Sequence, residues 1–377
     1  MAHILVFAFD LTEASQVRRI KSLQILGHSV QSASFRRGNM NADFVPDWPN
    51  VDLGYVANNS YGRRVIGIMR GIWQMMQHKQ QVKAADVIIA RNFDLLVIAW
   101  AVRLLSGARQ TPLVYECLDI HGLFTRSDRV GAVMRWCERQ LLTRVQLLIV
   151  SSPGFISQYF AQTQGYLGPY ALIENKLWFD GSPVARPTAR KSHDPLTIGW
   201  VGSIRCAPSL QLLLAAADHF GDNLRIRIHG NVHRHVLPDF DDQIAARDNI
   251  IYFGPYTYPD GLAAVYDACD VVWAQDLWQR GANSDWLLPN RIYEASWFGC
   301  PSIAVADTET GRRVAEDGLG FVIDAPTAEA LIEQIGALTP EKISAVSQHL
   351  LATPDNAFML QPNDIAAALA PVLPPSR

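Results

Sequence analysis

Residues 283–304 read NSDWLLPNRIYEASWFGCPSIA, an order of loop, short helix, glycine stop and buried strand around which the rest of the chain is arranged. Pro289 suits the first turn of a helix, where its missing N–H costs nothing, and Gly299 suits the left-handed stop at the other end. Ser302 to Ala306 is a small-to-branched apolar run, the pattern of a central parallel strand. Asn290 and Glu294 share one helix face. A helix start presents free N–H groups and partial positive charge, so it holds a phosphate. Glu294 lies roughly 7 Å further along the axis, placed to accept both hydroxyls of a ribose whose diphosphate sits at that start. The plain alternative is a solvated helical glutamate in one of the helix–Gly–Pro–strand units that any doubly wound protein contains.

The segment LLPNRIYEASWFGCPSIA resembles the donor site of GT-B glycosyltransferases of the retaining family-4 type, written Leu-Pro-Asn-Lys-Leu-Phe-Glu…Gly-x-Pro-Val-Ile-Ala. The resemblance implies an α/β protein of GT-B fold, with two Rossmann-like doubly wound domains facing a central cleft. It also implies that Glu294 binds the ribose of a nucleotide sugar, with Leu288, Pro289, Asn290 and Arg291 in the same donor-binding stretch.

The bulk composition is compatible. The chain has 377 residues, 49% hydrophobic and 18% charged, enough for two domains with ample core. A net charge of −3 gives no case for a nucleic-acid partner. The five cysteines (117, 137, 206, 269 and 300) are odd in number and scattered, and none forms Cys-x-x-Cys, which suits reduced core residues in a cytoplasmic protein. MAHILVFAFDL lacks the basic start of a signal peptide and reads as a first strand. No apolar run approaches the length of a spanning helix, so any membrane contact is expected to be peripheral, at the inner face.

Strands are expected near residues 3–9, 29–35, 86–90, 112–117 and 146–150, with helices between them, which makes one parallel α/β domain. Where the resembling family often has paired glycines after strand one, this chain has Asp10, Arg18 and Arg19. Residues 36–60 read as loop. Val65, Ile66, Met69, Ile72, Trp73 and Met76 then form a helical stripe edged by Arg63, Arg64, Arg70, Lys79 and Lys83. The stripe suits a core helix with a solvated face, the reading preferred, or a membrane-surface helix against anionic lipid. Residues 180–195, DGSPVARPTARKSHDP, have no apolar period and read as a linker. The cycle then restarts, with strands near 196–201, 224–228, 250–253, 271–274 and 302–305. The expected division is an acceptor-binding domain 1–180, a linker 181–195, a nucleotide-sugar domain 196–360, and a closing helix 361–377 that packs back on the first domain, as in the resembling family.

Transfer from a nucleoside diphosphate requires the leaving diphosphate to be stabilised as charge grows on it, which positioned N–H groups and guanidinium groups do well. In IGWVGSIR, Gly202 permits close backbone approach, Ser203 donates, and Arg205 reaches a phosphate; the alternative is an ordinary turn with a surface arginine. The resembling family adds a lysine a few residues later. CAPSLQ follows here instead, and Arg291 is the replacement charge. That family also carries a second glutamate eight positions before the first. That position is Trp286, with Asp285 beside it, read either as a donor-sugar contact or as a cap. Gly230 and Tyr256 are further donor candidates, lining base or ribose. On the acceptor side, VYECLDIHG resembles the segment holding the proposed base of GT-B exopolysaccharide glucuronosyltransferases. That makes Asp119 the catalytic candidate, with His121, which titrates near neutrality, beside it and Glu116 third. The alternative is a helix cap and a packed imidazole. Asp239 to Asp242 reads as solvated and His229, His233 and His235 have no zinc spacing, so no metal or other cofactor is expected, the nucleotide sugar being a co-substrate.

The resulting expectation is a glycosyltransferase moving a sugar from a nucleotide-diphosphate donor to a saccharide or lipid-linked saccharide acceptor in bacterial surface-polysaccharide assembly. A nucleotide-sugar epimerase of the same architecture and a non-catalytic nucleotide-sugar binder remain open, as does retention against inversion.

Overall fold

The computed structural model describes residues 1–36, 44–55, 61–179 and 181–374. The chain forms two compact units, one of Met1–Glu174 with Gln361–Arg377 and one of Asn175–Leu360.

The first unit holds β1 (His3–Ala8), β2 (Ser29–Arg36), β3 (Asn50–Tyr55), β4 (Val87–Arg91), β5 (Leu113–Cys117), β6 (Leu147–Val150) and β7 (Tyr170–Leu172). They form one sheet in the order β3-β2-β1-β4-β5-β6-β7, every described pairing parallel. β4, β5 and β6 are buried along their whole lengths, as strands covered on both faces must be. The order reverses between β1 and β4, which opens a crevice beyond their carboxyl ends. The helix Pro362–Leu369 packs against Ala14–Ile25 of this unit, burying Ile365 and Leu369.

The second unit holds β8 (Leu196–Ile204), β9 (Leu224–Val232), β10 (Ile250–Tyr252), β11 (Val271–Trp273), β12 (Ser302–Val305) and β13 (Gly320–Ile323), in the order β10-β9-β8-β11-β12-β13. Its reversal falls between β8 and β11. Gly202 and Ser203 are part of β8 rather than of a loop, because the β8–β9 register runs on through Gly202↔Gly230 to Ile204↔Val232. β3, β7 and β13 are additions to the strands expected from sequence.

Residues 181–195 are not a free linker. Arg186 donates to the carbonyls of Trp297, Leu350 and Thr353 and to Asp355, and Arg190 to those of Phe298, Tyr266 and Cys269. Guanidinium groups that satisfy helix-end carbonyls fold this polar stretch onto the second unit, and the boundary falls at Glu174 rather than at 180.

The stripe on the helix Tyr61–Gln77 is not core either. Val65, Ile66, Met69 and Trp73 are 61–67% exposed, and the packed face is that of Gly71 and Met75, with Gly71 against Phe35 and Ile98. The side chain of Arg63, expected on its basic edge, lies outside the described side chains. No described helix is long and apolar enough to cross a membrane.

The first unit buries ionisable groups in two clusters. Glu116, fully buried, lies 2.6 Å from Arg19 Nη2 and 2.9 Å from Arg91 Nε. Burial alone would raise its pKa, but the two guanidinium groups overcome this and hold it below the usual carboxylate range. Glu116 is therefore a structural anchor without the exposure a base needs. Glu138 accepts from Tyr115 at 3.1 Å, Gln164 at 2.6 Å and Tyr159, yet burial pushes it up to about 7.

The folded state thus keeps a proton on Glu138 that the unfolded chain loses near its ordinary value of 4.5. The stability this lends is complete below that value and is lost as pH rises through about 7. The melting temperature is expected to fall between pH 5 and pH 8, and Glu138→Gln to reduce that fall by roughly 5 °C. Calorimetry at the two pH values measures it, and equal falls in both proteins would remove Glu138 as the cause.

Candidate functional site

The carboxyl ends of β8 and β9 approach unusually closely. Gly230 sits at φ +135°, and a Cβ there would lie 1.7 Å from the Gly202 carbonyl oxygen, so only glycine fits. The Gly230 N–H donates to the Gly254 carbonyl at 2.9 Å, and its own carbonyl accepts from the Tyr252 hydroxyl at 2.9 Å. The rung lies toward the carboxyl ends of β8 and β9, β8 being one of the two strands at the reversal point, where ligands of doubly wound sheets bind.

The helix Asn290–Trp297 starts beside this rung. Pro289 is its N-cap, one residue ahead of the first turn, with φ −75° and ψ 146°. Arg291 Nη2 lies 3.9 Å from the position a Gly202 Cβ would occupy, and Arg291 Nη1 is buried without a partner. One turn further along, Glu294 is buried and accepts from the Tyr266 hydroxyl at 3.0 Å. Burial and then the negative charge of Glu294 raise the Tyr256 and Tyr266 hydroxyls well above their ordinary value, with Arg291 acting against them. Tyr256, Tyr266, Arg291 and Glu294 are therefore one electrostatic group. Gly299 ends the helix at φ +68°.

Other candidates fall elsewhere in the second unit. Ser203 Oγ lies 3.0 Å from His233 Nε2. Arg205 is half-buried, 3.8 Å from Asp276 and over the Trp278 ring at 4.5 Å, a loose pairing that leaves its guanidinium available. Asp285 is fully engaged: one oxygen accepts from Arg280 at 2.6 Å and the other from the Gly281 N–H at 2.8 Å, which makes it the clasp of the loop before the helix. Leu288 is packed in the apolar core and anchors the segment with its side chain. Asn290 and Pro289 are half-buried at the helix start.

In the first unit, Asp119 is exposed in the turn after β5, its carbonyl accepting from Cys117 Sγ. His121 is exposed and caps the helix Gly122–Thr125, its Nδ1 accepting from the Leu123 N–H at 3.2 Å. Its Nε2 lies 3.1 Å from Arg64 Nη1. A neutral ring has one acceptor nitrogen, so it satisfies one of these contacts at a time. Among the described residues, no three His, Cys, Asp or Glu side chains gather as a metal site.

Sequence reasoning missed Tyr266, the partner of Glu294, since nothing in AVYDACD marks a hydroxyl aimed at a distant helix. It weighed His229 only as a zinc ligand, whereas the residue is buried, stacked on Phe253 at 4.7 Å, and left with an unpartnered Nε2. Burial, then Arg227, lowers His229 to about 4, so its ring is neutral at physiological pH.

Two doubly wound units with a glycine rung, a helix start and a buried glutamate in the second are the architecture of the GT-B glycosyltransferases. The chain is 34% identical over 373 residues to the succinoglycan biosynthesis protein ExoL of Rhizobium meliloti strain 1021, an alignment covering 97% of this chain and 92% of that one, and it belongs to that protein's family. No family model matches it. HepE of Anabaena, solved with UDP and glucose, has a TM-score of 0.70 at 16% identity, covering 98% of this chain and 100% of that one. WaaG, a glycosyltransferase involved in lipopolysaccharide biosynthesis, has a TM-score of 0.64 at 12% identity, covering 98% and 99%. Both share the fold.

Two glycine substitutions separate close approach from backbone conformation. Gly254, at φ +80°, has nothing within 4 Å of the point where a Cβ would stand, so Gly254→Ala is expected to cost only the left-handed penalty of about 1–2 kcal/mol. Gly230→Ala is expected to cost more than about 4 kcal/mol or prevent folding. Chemical denaturation of both variants measures the difference, and similar losses would mean that the rung tolerates a side chain.

Proposed function

We propose that the protein transfers a glycosyl group from a nucleoside-diphosphate sugar to a saccharide acceptor, lipid-linked and met at the inner face of an anionic membrane, in bacterial surface-polysaccharide assembly. The observation that carries the reading is the buried Glu294 on a helix that begins beside the Gly202–Gly230 rung, with Arg291 on that helix keeping an unpartnered guanidinium nitrogen. The complex of HepE with UDP and glucose and the role of ExoL in succinoglycan biosynthesis support the donor class and the pathway class.

In this reading Glu294, oriented by Tyr266, accepts the ribose hydroxyls. The backbone at Gly202, the Ser203 hydroxyl and the N–H groups after Pro289 receive the diphosphate, Gly230 keeps the rung clear of a side chain, and Tyr256 lines the nucleoside. The bond from the anomeric carbon to the diphosphate oxygen breaks, and its electron pair leaves with the diphosphate. Arg205 and Arg291 neutralise the growing charge, and no metal ion is assigned. The acceptor hydroxyl oxygen forms the new bond. Its proton passes to a departing phosphate oxygen if configuration is retained, or to Asp119 if it is inverted, with His121 flanking that site.

Thermal unfolding with UDP-, GDP- and dTDP-sugars tests the donor site, since a ligand at 100 times its Kd adds about 2.7 kcal/mol of stability. One nucleotide series is expected to stabilise the wild type and to lose its effect on Glu294→Ala. Arg291→Ala is expected to keep the wild-type melting temperature within about 2 °C, because its Nη1 makes no bond to lose, while turnover falls roughly 100-fold or more. Asp119→Asn should lower turnover with donor binding unchanged. No stabilisation by any of the three series would overturn the reading.

A further inference from the structure

A titratable ring stands beside the hydroxyl that the proposed function gives to the diphosphate. His233, on the loop after β9, has its Nε2 3.0 Å from Ser203 Oγ. Backbone bonds hold it there. The His233 N–H donates to the Ile204 carbonyl at 2.9 Å, and the His233 carbonyl accepts from the Val236 and Leu237 N–H groups at 2.8 and 3.0 Å. The half-buried ring is thus fixed against the carboxyl end of β8.

The charged groups acting on this ring are basic. Arg205, just after β8, pairs only loosely with Asp276 at 3.8 Å. On the same loop as His233, the exposed His235 has its ring centroid 5.6 Å away. Asp241, on the helix Phe240–Ala245, is taken by Arg234, with bonds of 2.7 and 2.9 Å. Burial first, then Arg205 and His235, lower the His233 pKa, so the ring by itself is neutral at pH 7.

A diphosphate seated against Ser203 and Arg205 reverses the field at the ring, because nearby negative charge favours the imidazolium. The contact with Ser203 then has one polarity. A neutral ring can accept from the hydroxyl at Nε2, but a charged ring has only donors. The oxygen of Ser203 must therefore accept, which frees its own hydrogen for another partner.

We infer that His233 is a positioning residue for the departing diphosphate: with a nucleotide sugar seated, the ring takes a proton from solvent, its Nε2–H donates to Ser203 Oγ, and the Ser203 O–H is thereby fixed as a donor to a phosphate oxygen. The positive charge arrives with the ligand, where CAPSLQ follows Arg205 without a lysine, and the proton returns to solvent when the diphosphate leaves. The inference deepens the proposed function and rests on it for the place of the diphosphate.

Titration calorimetry of the full chain with UDP-glucose, GDP-glucose and dTDP-glucose tests it, at pH 7 in two buffers of different ionisation enthalpy. The diphosphate of a nucleotide sugar has no proton to exchange in this range, so any uptake belongs to the protein. The nucleotide sugar that binds is expected to take up about half a proton and to bind about tenfold more tightly at pH 6 than at pH 8. His233→Gln should bind as the wild type does at pH 8, without uptake and without dependence on pH, whereas His235→Gln should keep both. His233→Asn takes its place if His233→Gln does not fold. Binding by the wild type without proton uptake, or uptake that survives in the His233 variant, would overturn this inference and leave the transferase reading standing. No binding of any of the three at pH 6, 7 or 8 would overturn both.

Discussion

One guanidinium group holds the candidate donor site in register. Arg190 donates to the Phe298 carbonyl at the end of the helix that carries Glu294, and to the Tyr266 and Cys269 carbonyls around the end of the helix that carries Tyr266. Only a planar fork with several N–H groups can serve two helix ends at once, and the positive charge also suits the negative ends of both helix dipoles. The 3.0 Å contact between Tyr266 and Glu294 is therefore held by a residue at the carboxyl ends of both helices. Arg186 repeats the device, capping Trp297, Leu350 and Thr353 while lying 5.2 Å from the Trp297 ring and 5.6 Å from that of Phe358. A site that binds charge gains when its groups are held before the ligand arrives, and here the holding is done by a stretch without any apolar pattern.

That stretch shows where a sequence stops being readable. Strands buried on both faces are continuous apolar runs, and VIIAR and LLIV announce β4 and β6. The strands passed over, β3, β7 and β13, are all at sheet edges, paired on one side only. NVDLGY and YAL alternate with polar or exposed positions, which reads as loop. Residues 181–195 fold through arginine–carbonyl bonds, which have no period to detect. The stripe after Arg64 was visible as a stripe, but periodicity reports that one face is apolar and says nothing of what covers it. The donor helix was legible nearly to the residue because a proline, a glycine and a strand bracket it.

The two sets of candidate residues differ in kind. On the donor side the groups are buried, and close packing fixes them: Glu294 is oriented by a tyrosine, Arg291 lies against a glycine rung, and Asp285 is spent on its own loop. Asp119 and His121 are exposed in turns of the first unit, where the buried carboxylate on the same strand, Glu116, is locked between two arginines. Sequence spacing ranked Asp119 ahead of Glu116 and set Asp285 on the donor side, without showing which of the three is buried. Burial divides them into one that anchors the sheet, one that clasps a loop, and one left facing solvent.

The return of the helix Pro362–Leu369 to the helix Ala14–Ile25 has a consequence for biosynthesis. A ribosome delivers the chain from its amino end, so the first unit emerges early but lacks the helix that carries Ile365 and Leu369. All of residues 175–360 must be translated before that element exists. The second unit is contiguous and completes itself as it leaves the exit tunnel, so the part made first is the part finished last.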